Sequence, residues 1–273
     1  MAITTLDGLI AGLQPPQDFL KVTGTMEAAG VMHSLFYATG LPGAALAPSP
    51  GINGAALTTY AGQMPYSNPV SGNSYLARVS VTGGVAGSLM VCDRLWHNSG
   101  IVSATLTLQA ITTAAWPARD RNGSTNGVGV QMALEVSVAT TNGAAITNTT
   151  LNYTDSGGTT GNVATIASFP QTAVAGTFVP FQLAAGDLGV RAITNASGGG
   201  LTLGTSYGTG TVHLVAYRVL AVIPVTVANA AGVADTVSGL LPQLYDNTVP
   251  FLVWVPSATT THTVTGQIVY AHG

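Results

Sequence analysis

Gly204-Thr205-Ser206-Tyr207-Gly208 has the spacing of a nucleophile elbow, and Asp235 or Asp246 and then His262 follow in the order Ser, Asp, His. An elbow works because a helix follows the serine and lifts its hydroxyl above a parallel sheet. Here Thr209-Gly210-Thr211 leads into an apolar run that reads as a strand, so the motif is a Gly-rich turn and no hydrolase activity is expected. Asp120-Arg121-Asn122-Gly123-Ser124-Thr125-Asn126-Gly127 places oxygen ligands at intervals around a glycine. A calcium loop wants several carboxylates, and this one has a single Asp flanked by Arg119 and Arg121, which favours a salt-bridged surface loop. His33, His97, His213, His262 and His272 are too scattered to mark a metal cluster, and no catalytic, cofactor or metal site is assigned.

Glycosidase chemistry needs two carboxylates across a cleft. The only glutamates are Glu27 and Glu135, and alternation along Met132 to Val138 puts Glu135 with Ala133 and Ser137 on a polar strand face. The faces of Trp96, Trp116 and Trp254 could stack on a sugar, but two of the three sit beside structural punctuation, which favours core positions. Cys92, in Leu89-Met90-Val91-Cys92, reads as a buried inert thiol, and one cysteine excludes an internal disulfide.

Composition narrows the class further. Lys and Arg number 7 and Asp and Glu 10, so charged residues are 6% of 273, against roughly a quarter in ordinary soluble domains. Net charge −3 leaves no footprint for a phosphate backbone, and a mean hydropathy of +0.41 argues against disorder. Such a surface is expected to be covered by copies of the chain or by other proteins. No stretch approaches the ~18 apolar residues of a membrane span. The N-terminus carries Asp7 and no basic or apolar signal region, so synthesis in a cytoplasm is expected.

The elements that must position these residues divide near residue 60. Thr4-x-x-Asp7 resembles a capping box opening a short helix with Leu6, Leu9, Ile10 and Leu13 on one side, stopped by Pro15-Pro16. A second helix is expected from Met26 to Ala38, with Phe36 and Tyr37 apolar, before a Pro-rich stretch from Leu41 to Gly51. Residues 1–60 are therefore expected to be a partly helical, Pro-rich arm, with Leu6, Leu9, Ile10, Leu13, Phe36 and Tyr37 as its interface candidates. Residues 61–273 are expected to form a mainly β, antiparallel sandwich or jelly-roll-like core. Strands are predicted at 75–81, 85–91 (joined as a hairpin by Thr82-Gly83-Gly84), 102–111, 128–138, 144–153, 162–169, 177–183, 188–194, 212–222, 251–255 and 263–270. Ala228 to Tyr245 leaves a short helix and a strand crossover as open alternatives.

Three blocks carry a resemblance: Cys92-Asp93-Arg94-Leu95-Trp96-His97-Asn98-Ser99-Gly100, Ala115-Trp116-Pro117-Ala118-Arg119-Asp120, and Gly204 to Gly208 running into His213-Leu214-Val215-Ala216-Tyr217-Arg218. With Leu244-Tyr245-Asp246-Asn247 and Val249-Pro250-Phe251, they resemble a widespread family of uncharacterised structural proteins of tailed bacteriophages. The resemblance implies a non-enzymatic virion component, first a capsid decoration or minor capsid protein. The alternative is a tail- or fibre-associated module reading a host glycan or protein. Expected partners are the chain itself, as a homo-oligomer with a trimer among the forms, and the major capsid or other virion proteins, with no nucleic acid, membrane or cofactor. Physically, Arg94 and Arg119 are candidates to pair with Asp93, Asp120 or main-chain carbonyls and so fix loops or contacts.

Overall fold

A computed structural model describes residues 3–24, 28–239 and 241–273. The chain is mainly β, built of antiparallel sheets, and it divides into two compact units. The first comprises Met1–Leu46, Thr58–Asp93 and Val219–Gly273; the second comprises Ala47–Leu57 and Arg94–Arg218. Strands Gly87–His97 and Thr211–Val225 each begin in one unit and end in the other.

In the first unit, one sheet runs in the order Gly232–Asp235, Ser74–Gly83, Thr263–His272, Gln17–Val22, Thr39–Leu41. A second layer comes from the start of Gly87–His97, paired with Pro250–Pro256, which in turn pairs with His33–Ser34. Alternation puts Val79 and Val81 inward, and a register shift at Ala77 brings Leu76 onto the same face; they meet Leu89, Val91, Ile223, Trp254 and Ile268. The second unit repeats the plan with other residues. Asn162–Phe169, Ile146–Asp155, Gly200–Thr202 and Gln109–Ala110 form one sheet, while Phe178–Pro180 and the first half of Thr211–Val225 flank Val130–Val138. Its core holds Trp96, Trp116, Met132, Leu134, Val136, Leu151, Phe169 and Leu214.

The division expected at residue 60 is not where the chain divides. Gln17–Val22 lies inside the first sheet, paired with both Thr263–His272 and Thr39–Leu41, and Phe19, Leu35 and Phe36 are core residues. The expected arm is therefore a helix followed by strands. The helix expected from Met26 to Ala38 is absent over its described part: residues 28–30 turn, His33–Ser34 is a strand and Leu35–Tyr37 a single 3-10 turn. Met26 and Glu27 lie outside the described residues. Ser34 caps that turn by accepting the Phe36 N–H, and pairing with Pro250–Pro256 holds the segment extended.

Two further expectations change for local reasons. Thr82-Gly83-Gly84 does not close a hairpin. Ser74–Gly83 and Gly87–His97 belong to different sheets, because a Cβ on Gly83 or Gly87 would lie 2.9 or 2.7 Å from the Trp254 ring, and the chain crosses over that ring. Of 102–111, only Gln109–Ala110 is strand. The Gln109 side chain folds back to accept the Val102 N–H and donate to the Val102 carbonyl, closing a loop where a ladder was expected. The open stretch from Ala228 holds both alternatives in succession, a strand at Gly232–Asp235 and a short helix at Thr236–Gly239.

Candidate interaction surface and a buried polar cluster

The N-terminal helix, Leu6–Gly12, starts one residue later than the expected capping box: Thr5, not Thr4, is the N-cap, and its Oγ1 accepts the Gly8 N–H at 3.0 Å. Gly12 ends it, pressed so closely on the last strand that a Cβ there would sit 2.4 Å from the His272 carbonyl oxygen. Leu13 then bridges to Ala271 and the chain enters strand Gln17–Val22. This anchoring leaves Leu6 59%, Ile10 59% and Leu13 47% exposed. They line a groove of about 740 Å³ with Leu9, Val233, Val237 and Val269, and with Arg78 and Asp235. Asp235 caps the following turn, and hydrogen bonds from Ser238 and Val237, with Arg78 nearby, hold its carboxyl below the ordinary range.

Next to this groove, the outer face of the same sheet inverts the usual pattern. In Gln17–Val22 the inward residues are Phe19 and Lys21, and the outward ones are Leu20 and Val22. Lys21 is tolerated inside because its ammonium donates to the Ala38 and Pro42 carbonyls, at 3.2 and 2.8 Å; burial lowers its pKa to about 8. Leu20 pairs across to Leu41 on one side and Thr265 on the other, and Thr265 to Thr82. The next row is Asp18, Gln267, Ser80 and Val233. Between them Gly266 has no room for a side chain, since a Cβ would lie 2.0 Å from the Ser80 carbonyl oxygen and 2.6 Å from Phe19.

Four of the six interface candidates thus lie together on this surface. The other two do not. Phe36 is buried, edge-on to Phe251 and stacked on Tyr60, and Tyr37 packs on Phe36. Apolar character alone cannot tell a core aromatic from a docking one, whereas Leu20, Leu41 and Val233 carried a signal that was overlooked: apolar residues in strands whose inward positions were already filled.

The charged candidates sit inside. Arg94 makes a bidentate pair with Glu135, at 3.0 and 2.6 Å, both side chains fully buried. Its carboxylate partner is therefore the remote Glu135; the carboxylate of its neighbour Asp93 accepts the Val249 N–H at 2.9 Å. Glu135 shares its face with Ala133 and Ser137 as expected, but at Ala133 and Glu135 that face is buried, and Arg94 neutralises the carboxylate there. Arg94 Nε also donates to His97 Nδ1 at 3.1 Å, and burial together with the adjacent guanidinium pushes the His97 pKa down to about 3. Arg119 donates to the Leu57 and Arg94 carbonyls at 2.7 and 3.0 Å, the main-chain option.

His213, opposite Glu135 in the next strand, donates from Nδ1 to the Asn98 carbonyl at 2.8 Å and accepts the Ser137 hydroxyl on Nε2 at 2.7 Å. Burial lowers its pKa, so it is held neutral. Arg94, Glu135 and His97 form one hydrogen-bonded set, and His213 with Asn98 and Ser137 a second one beside it, tying three strands of the second unit together by buried polar contacts. Sequence reading missed both because Glu135 lies 41 residues from Arg94, and His213 lies 115 residues from Asn98.

The remaining motifs are structural. The loop is at the surface, with Arg121, Asn122, Thr125 and Asn126 exposed, but Asp120 at its base is buried; Oδ1 accepts the Asn122 and Ser124 N–H groups, and Oδ2 accepts the Ser124 hydroxyl and Val128 N–H. Burial opposes its ionisation, but these four bonds outweigh that and hold the carboxyl below its usual range, filling the positions a cation would need. Ser206 Oγ accepts the Gly208 N–H within a turn, and the strand Thr211–Val225 follows. Trp96, Trp116 and Trp254 are buried, with the first two donating to the Asn53 and Val190 carbonyls. Among the described residues no group of three or more His, Cys, Asp or Glu could hold a metal, and no helix is long and apolar enough to cross a membrane.

Fold and surface together define a charge-poor antiparallel β-sandwich protein with a partly apolar outer sheet face. No family model matches the chain, and no curated protein matches it. A crystal structure of the infectious bursal disease virus VP2 subviral particle aligns over 96% of this chain and 82% of its own, at 12% identity. The TM-score of 0.18 is too low to show a shared fold.

Proposed function

We propose that the protein is a non-enzymatic structural component of a tailed-phage virion, a capsid decoration or minor capsid protein that covers or stabilises the shell. The observation that carries this reading is the exposed apolar surface of Leu6, Ile10, Leu13, Leu20, Leu41 and Val233 on a chain with only 6% charged residues. Large apolar patches mark interaction sites, and a shell protein present in many copies has neighbours to cover them. The buried Arg94–Glu135 cluster and the closely packed glycines suit a rigid, load-carrying role. The alternative of a glycan-reading tail or fibre module finds less support, because the three tryptophans that would stack on sugar are buried.

The test is quantitative gel or mass-spectrometric measurement of the protein in purified particles. Many copies per particle, released together with loss of shell stability, support the reading. Absence from the particle, or presence at a few copies confined to isolated tails, overturns it.

A further inference from the structure

We infer that the outer face of the first unit's sheet, with the helix Leu6–Gly12 beside it, is a self-association surface on which a second copy of this chain docks by the same face. This deepens the structural reading by naming the partner of that surface, and it rests on that reading only for its biological setting.

Size supports it first. The five strands of that sheet's main run, about 4.8 Å apart, and six residues at about 3.3 Å rise give a footprint of about 500 Å². The seven-residue helix extends this by a strip about 10 Å long and as wide. Side-chain relief raises the accessible area above that flat footprint, towards the roughly 800 Å² per partner of a standard specific interface. A face of this size suits a protein partner better than a small ligand.

Charge selects which protein. The sheet rows carry Asp18, Arg78 and Asp235 and are otherwise Leu, Val, Thr, Ser and Gln. One arginine gives a polyanion nothing to hold. A two-fold axis along the strands exchanges the two edges of the sheet. It therefore sets Arg78 of each copy over strand Gln17–Val22 of the other, one row from its Asp18. Each base thus approaches an acid, while Leu20 and Leu41 of one copy come over strands Ser74–Gly83 and Gly232–Asp235 of the other, one row from its Val233. Identical patches meeting about a two-fold form a closed dimer, the commonest way for a chain to cover such a face.

The experiment uses the full chain alone in solution, by sedimentation velocity and light scattering over the micromolar range. The wild type is expected to run at twice its 27.4 kDa mass. Ile10→Glu combined with Leu20→Glu, both at exposed positions, is expected to weaken association at least tenfold, with circular dichroism unchanged. Leu188→Glu, at a still more exposed position but in the second unit, is expected to leave the dimer intact. If the glutamate pair fails to fold, Ile10→Ser with Leu20→Thr gives the same readout with gentler substitutions. A monomeric wild type, a trimer, or a dimer that Leu188→Glu disrupts as strongly as the pair each overturns the inference. Particle copy number is a separate measurement, so failure of the dimer and failure of the virion reading are distinguishable.

Discussion

Replacing Glu135 by leucine should cost the second unit about 3–5 kcal/mol, the range for removing one partner of a buried ion pair. The reasoning rests on three features of the site. Both side chains are fully buried, so water cannot replace the lost carboxylate. Two hydrogen bonds go at once, at 3.0 and 2.6 Å. Arg94 cannot shed its proton to escape, because a guanidinium stays charged at any working pH. The reverse variant, Arg94→Met, is expected to be milder, since a stranded Glu135 neutralises itself by taking up a proton. The proton is bound in the folded state and released on unfolding, so Arg94→Met should lose stability as pH rises through neutrality. The double variant should recover most of the loss, giving a coupling energy of at least about 2 kcal/mol. Urea unfolding followed by tryptophan fluorescence weights this unit, because two of the three indoles, Trp96 and Trp116, lie in its core. With a slope of about 2 kcal/mol per molar, the midpoint of Glu135→Leu should fall by about 1.5–2.5 M. A fall of less than about 0.5 M, or a double variant no better than Glu135→Leu, would refute the claim that the pair is desolvated and coupled.

Other perturbations test the same physics elsewhere. Lys21 is the only lysine and its folded pKa, about 8, lies below the unfolded value near 10.4, so unfolding takes up a proton in between and stability should rise with pH from about 8 to 10. Urea midpoints across that window should show the rise, and Lys21→Met should abolish it. His97, held neutral with a pKa of about 3, should make the protein lose stability as pH falls from about 6.5 towards 3; His97→Asn should flatten that acid limb in circular-dichroism titrations. Gly266→Val should destabilise the first unit by about 3 kcal/mol, the upper end for overpacking, because its Cβ would overlap the Ser80 carbonyl and the Phe19 ring; thermal unfolding checks this, and an unchanged Tm would contradict the close approach.

Local chemistry alone determined a good deal of this protein. Val130–Val138 and Asn162–Phe169 are legible as strands from their alternation, Ile146–Asp155 from its β-favouring Thr, Leu and Tyr between turn residues, and Leu6 to Leu13 share one side because a helix of that spacing places them so. What local chemistry could not decide is which side of an element meets which neighbour. Gln17–Val22 buries a lysine and exposes a leucine because two carbonyls, from Ala38 and Pro42, happen to wait inside. Gly83 and Gly87 cross over Trp254 instead of closing a hairpin because that ring arrives from a strand some 170 residues on. Arg94 pairs with Glu135, not with the aspartate beside it, because adjacent strand residues point to opposite faces while a partner 41 positions away can be brought onto the same one. Pattern along the chain sets periodicity; only the closing of long loops sets partners, and in this molecule both the buried charges and the exposed apolar face are matters of partners.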